Sequence, residues 1–152
     1  MITLNQANQI IEAILVKGRE LDCRPLAVVV TEPGAIVKAF QKEDHAAMIR
    51  FEMAYGKAYA ALAMGRSSSM VRQRTEERPI FMEYLIKASD DKIFPEGGGQ
   101  LIRNTDGNVV GAVGVTGDTQ ECDDELAMAG IRAAGLKCDE DCGDMGNKVR
   151  LS

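Results

Sequence analysis

The chain has 152 residues, 45% of them hydrophobic and 5% aromatic with no tryptophan, and a formal net charge of −5. This length buries a core without disulfide staples and fits a single domain. The acidic balance argues against a nucleic-acid partner gripped through its phosphates, and no apolar run approaches the roughly 20 residues that span a bilayer.

Thr3 followed by Gln6 reads as a capping box. Leu4, Ala7, Ile10, Ile11, Ile14 and Leu15 then fall at helical spacing, with Gly18 near the expected end. LAVVVTE and IVKAF flank the turn EPGA and predict a β-hairpin from Leu26 to Phe40. From Asp44 to Gly65 the residues Met48, Phe51, Tyr55, Tyr59 and Leu62 predict a helix. SSSMVRQRTEERP predicts a short exposed helix, and Pro79 opens another that ends at Ser89-Asp90-Asp91.

QLIRN and NVVGAVGV surround Asp106-Gly107, a pair suited to a two-residue primed turn, and predict a second hairpin. Asp118 with Glu121 reads as the capping box of a last helix, whose face is Cys122, Leu126, Ala129, Ala133 and Leu136. Beyond Lys137 the periodicity stops. We therefore expect an α+β fold with antiparallel pairing: one domain over residues 1–136 and a C-terminal tail over 137–152.

The glycines pose the functional question. Gly111, Gly114 and Gly117 have the spacing GxxGxxG, which is not the dinucleotide fingerprint. The helix they introduce begins with Asp118, Glu121, Asp123, Asp124 and Glu125, so its positive end already carries acids and would repel a phosphate. Gly114 serves either close packing or a ligand wall. Gly97, Gly98 and Gly99 lead into a strand; they read as a mobile lid or linker whose bare amides could cradle a carboxylate.

Other chemistry is sparse. His45 is the only histidine, expected near a helix N-terminus where a neutral, metal-competent ring is favoured, and is the candidate iron ligand for haem. Its alternative is an exposed first-turn residue. Lys57 could bind a carboxylate or carry a proton if desolvated; Glu121 and Asp124 are candidate partners in proton transfer, or simply dipole stabilisers. Cys138 and Cys142, in KCDEDCGDMG, are two thiols without a histidine and do not complete a zinc site. The leader MITLNQANQIIEAIL lacks a secretory pattern, and with four scattered cysteines this leaves a cytoplasmic location with reduced thiols.

PEGGGQLI, a hairpin and GAVGVTGDTQECDDELAMAG together resemble the GlcG/HbpS family, which includes the C-terminal domain of PduO-type cobalamin adenosyltransferases. Gly98-Gly99-Gln100-Leu101-Ile102 stands for the family's Gly-Gly-Ile-Pro-Ile-like segment. Glu52-Met53-Ala54, Lys57-Ala58 and Gly65-Arg66-Ser67 match a family helix in order, and the likeness runs from Leu4 to Leu136. The resemblance implies a profilin-like antiparallel sheet flanked by helices, a homo-oligomer, and haem or another planar carboxylated small molecule as ligand. It implies that Lys57, Glu52, Gly114 and the triple glycine lie at the site. An isomerase or lyase acting on a hydroxy or oxo acid is the other reading. Glu32-Pro33-Gly34 and Gln41 to His45 depart from the family pattern, the latter removing an arginine expected to face a pocket.

Overall fold

A computed structural model describes residues 1–143. Helix α1 (Leu4–Glu20) leads into strands β1 (Ala27–Thr31) and β2 (Val37–Lys42). Helices α2 (Arg50–Met64), α3 (Ser68–Glu77) and α4 (Pro79–Ala88) follow, then β3 (Gly99–Arg103), β4 (Val109–Thr116) and α5 (Gln120–Ala133). The strands form one four-stranded sheet in the order β2-β1-β4-β3. All pairings are antiparallel, so each predicted hairpin is present and the two are joined through β1 and β4. The expected α+β architecture holds.

Strand alternation explains the two faces. Val28 and Val30 of β1 with Val113 and Val115 of β4 point to one side, where Ile10, Ile11 and Ile14 of α1 and Leu126 and Ile131 of α5 cover them. Each of these fully buried branched side chains contributes about 1.5–3 kcal/mol. Val29 and Ala112 point to the other side, under Ala54 and Ala58 of α2. The residues there are small because the helix lies close. A third cluster of Ala60, Val71, Met82 and Ile93 fixes α3 and α4 beyond α2.

Several local expectations shift. The Thr3–Gln6 capping box forms as read, and α1 ends at Glu20, just past Gly18. Gly18 is buried inside the helix, where a Cβ would stand 2.5 Å from Leu26 Cδ1. The β3–β4 connection is not a two-residue turn: Gly107 N–H donates to Asn104 O at 3.0 Å, and Asn104 Oδ1 accepts from the amides of Asp106 and Asn108. Only Gly107 of the Asp-Gly pair has positive φ, at 87°, which rules out a primed turn needing both. The cap of α5 is Thr119, whose hydroxyl accepts from Cys122 N–H at 3.2 Å, and not Asp118 with Glu121. The buried stripe of α5 is Asp123, Leu126, Ala127, Gly130 and Ile131, rotated from the expected one.

The segment after α5 is tied down as far as it is described. Lys137 and Arg103 exchange backbone hydrogen bonds of 2.8 and 2.7 Å at the edge of β3. Arg103 Nε meets Asp139 Oδ1 at 2.6 Å inside the protein. Aperiodic sequence is thus held by polar pairing that hydrophobic spacing does not register. Residues 144–152 of the expected tail lie outside the described residues.

Arg132 of α5 closes this segment by donating to both oxygens of Asp141 at 3.0–3.2 Å. Those bonds hold the Asp141 carboxyl down at about 2, below its ordinary 3.8. A depressed carboxylate stabilises the fold above its unfolded pKa, and that stability is lost as pH falls through the folded value. Acid unfolding monitored between pH 4 and about 2 is therefore expected to steepen through Arg132–Asp141, and Asp141→Asn to flatten that limb.

Candidate functional site

The central feature is where α2 rests on the sheet. Gly99 of β3 and Gly114 of β4 are cross-strand partners. A Cβ on Gly114 would run into the backbone carbonyl of Ala54, and one on Gly99 into that of Lys57. The paired glycines form a floor without side chains, on which the α2 backbone lies directly. Gly114 thus faces a helix, and α2 occupies the side that a ligand wall would need.

The triple glycine is buried where α2, α3 and α5 meet the sheet. Gly97 N–H donates to Gln120 Oε1 at 2.8 Å, Gly98 N–H to Asp124 Oδ1 at 3.0 Å and Gly99 N–H to Ser68 Oγ at 2.7 Å. Gly98 also has φ of 123°, a backbone state that L side chains rarely adopt. These amides are satisfied within the protein, so a ligand carboxylate would have to displace a side-chain oxygen to reach them. The run is a packed junction instead of a mobile lid. Ser68, expected on an exposed helix, is fully buried and serves this junction.

Lys57 projects from the α2 face formed with Ala54, Ala58 and Ala61 and is 3% exposed. Its Nζ donates to Val115 O at 2.9 Å and to Asp123 Oδ2 at 3.2 Å. Asp123, 1% exposed, accepts the Asp118 amide on its other oxygen at 3.1 Å. Burial pushes the Lys57 ammonium below the ordinary lysine value and the Asp123 carboxyl above the ordinary carboxylate value, while their mutual attraction opposes both shifts. A proton between them is consequently held less firmly on lysine than in water. The sequence reading paired Lys57 with Glu121 or Asp124; the partner is Asp123. Glu121 is exposed, and Asp124 is engaged with the Gly98 amide and Gln100 Nε2. The legible signal was the i, i+4, i+7 relation of Asp123 to Ala127 and Gly130, a buried stripe headed by an acid.

The pair opens on a cavity of about 260 Å³ that Arg50, Glu96, Thr116 and Gln120 also line. Arg50 Nη1 donates to Thr116 Oγ1 at 2.8 Å. Met53 and Phe94 belong both to this cavity and to a more apolar cleft of about 530 Å³ lined by Ile49, Phe51, Tyr55, Lys92 and Ile93. Phe51, Tyr55 and Tyr59 recur every fourth residue along α2; the first two rings stack at 5.9 Å and 8°. Phe94 is brought to the cleft because its irregular segment lies on Gly56, where a Cβ would meet Phe94 Cβ at 2.6 Å. Glu52 is exposed at the cleft rim.

His45 is elsewhere. The helix expected from Asp44 starts at Arg50, and His45 is an exposed loop residue with φ of 71°. It borders a separate recess with Arg19, Pro25 and Glu43. The site therefore combines an aromatic-walled cleft with a polar end holding Arg50, Lys57 and Asp123, an arrangement suited to a flat body carrying an acid group.

A family model described as "Haem degrading protein HbpS-like" matches residues 2–132. Among solved structures, PduOC in complex with haem is 21% identical with a TM-score of 0.79, over 89% of this chain and 96% of that one. The Klebsiella pneumoniae protein ORFY is 26% identical with a TM-score of 0.79, over 88% of this chain and 90% of the other. HbpS is 21% identical with a TM-score of 0.74, over 86% and 88%. No curated protein sequence matches the chain significantly.

Proposed function

The chain belongs to the HbpS-like family of haem-degrading proteins, and from that premise we propose that it binds haem or another planar, carboxylated small molecule. The observation that carries this reading is the aromatic-walled cleft of about 530 Å³ adjoining the cavity of Arg50 and Lys57. Ligand sites of this kind are mostly apolar, with a few cations to fix orientation. PduOC, which shares the fold, binds haem.

The residues fit the ring better than the metal. Phe51, Tyr55 and Phe94 would cover a porphyrin face and exclude water, while Arg50 and Lys92 would meet its carboxylates. No histidine lines the cleft; an iron ligand there would come from Met53 or Tyr55. Haem, when bound, supplies redox-active iron. His45 remains a candidate only for a metal at its own recess.

Haemin and metal-free protoporphyrin titrations, read by absorbance and by thermal melting, test the proposal. Both ligands are expected to raise the melting temperature; Phe94→Ala should weaken both by about 10-fold or more, the loss expected for an aromatic contact of about 1.5 kcal/mol. His45→Ala should leave both unchanged. Binding that ignores Phe94 and disappears with His45 would sink this placement.

A second reading, proton transfer on a hydroxy or oxo acid, is favoured by the Lys57–Asp123 pair at the cleft's polar end. Lys57 would hold the substrate carboxylate or carry the proton, with Asp123 in the role first given to Glu121 and Asp124. Solvent-deuterium exchange into small oxo acids, abolished in Asp123→Asn, would distinguish it from simple binding. Our proposal includes a cytoplasmic setting and a homo-oligomer. Support for the latter is the outward face of α4, where Ile80 and Tyr84 are 84% and 73% exposed.

A further inference from the structure

At the start of α5, where Asp118 also borders the cavity of Lys57 and Asp123, three metal-binding side chains converge. Cys23, in the turn after α1, and Cys122, in the first turn of α5, place their Sγ atoms 3.4 Å apart across 99 positions of sequence. With an oxygen of Asp118, the three donor atoms lie within 4.8 Å of one another. We propose that Cys23, Cys122 and Asp118 bind one thiophilic divalent cation, represented by Zn2+.

Coordination geometry supports the assignment. Two thiolates on one tetrahedral zinc, each at about 2.3 Å, stand about 3.8 Å apart. A few tenths of an ångström of movement would accommodate that separation. The carboxylate is already fixed in orientation: Asp118 accepts the Arg24 amide at 3.0 Å and the Thr119 amide at 2.8 Å, with the Arg24 guanidinium 3.9 Å away. Each of these groups neighbours a ligand in the chain, so the outer shell is built from the same turns that carry the donors.

Both cysteines are free thiols. Without a cation, burial and the neighbouring thiol hold Cys23 protonated, with its pKa pushed up to about 12. Binding is then Zn2+ plus two thiols and one carboxylate, giving a zinc dithiolate carboxylate and two released protons. No electron is transferred, and the fourth position is left to solvent. Soft sulfur donors with one carboxylate select against Mg2+ and Ca2+. Nothing in the cleft proposal is required for this site.

The test uses the reduced full-length protein. Zn2+ should bind at one per chain, and Co2+ should give a thiolate charge-transfer band, neither being matched by Mg2+. Cys23→Ser and Cys122→Ser should each weaken binding by more than about 100-fold, since even outer-shell losses cost 10–100-fold. Asp118→Asn should weaken it while keeping the band. The double variant Cys138→Ser/Cys142→Ser should behave as wild type. Should a cysteine variant fold poorly, alkylation mapping of the unaltered protein decides: Zn2+ must protect Cys23 and Cys122 together. Protection of Cys138 and Cys142 instead, no charge-transfer band, or disulfide formation by the pair in the presence of Zn2+ would overturn the site.

Discussion

Lys57→Met is expected to destabilise the protein by about 3–5 kcal/mol, the cost of leaving a buried charge without its partner. Methionine nearly fills the lysine volume, so the loss is electrostatic and not a cavity. The variant strips Asp123 of its 3.2 Å ion pair at a position only 1% exposed. The carboxylate must then stay charged and unpaired or take up a proton. Adding Asp123→Leu should recover most of the loss, because an apolar pair of similar volume replaces a buried ion pair at little cost. Recovery will be incomplete, since Asp123 also accepts the Asp118 amide. Urea unfolding of the single and double variants measures both effects. A single-variant loss below about 1 kcal/mol would mean that water reaches the pair freely.

Gly114→Ala should be nearly as damaging, at about 3 kcal/mol, the upper range for overpacking a tight core. The added methyl meets backbone of α2 at Ala54 and Ala58, and no flexible side chain can yield. The helix would have to lift off the sheet, carrying Lys57 and the aromatic ladder with it. Ligand binding should therefore fall together with the melting temperature. Gly34→Ala is the control: nothing lies within 4 Å of its added carbon and its φ is not positive, so it should be neutral or slightly stabilising. Equal melting temperatures for Gly114→Ala and Gly34→Ala would refute the floor of paired glycines.

Local patterns were a good guide where chemistry is local. The Thr3–Gln6 capping box, the Pro79 helix start and both hairpins depend on neighbours within a few residues, and they form. The aromatic ladder was likewise readable, because Phe51, Tyr55 and Tyr59 repeat every fourth residue on α2. The Cys23–Cys122 approach was not, since nothing in either segment specifies the other across 99 positions.

Sequence alone determined the order of the strands and helices, because hydrophobic period and capping residues act over one or two turns. It also carried the motifs of the HbpS-like family over nearly the whole chain. Tertiary structure alone decided what the glycines do. Gly114 read as close packing or as a ligand wall, and the choice between them exists only where two strands and a helix meet. The same is true of Lys57: its partner is Asp123 because α2 and α5 converge at the end of β4, where burial turns two ordinary surface residue types into a coupled pair.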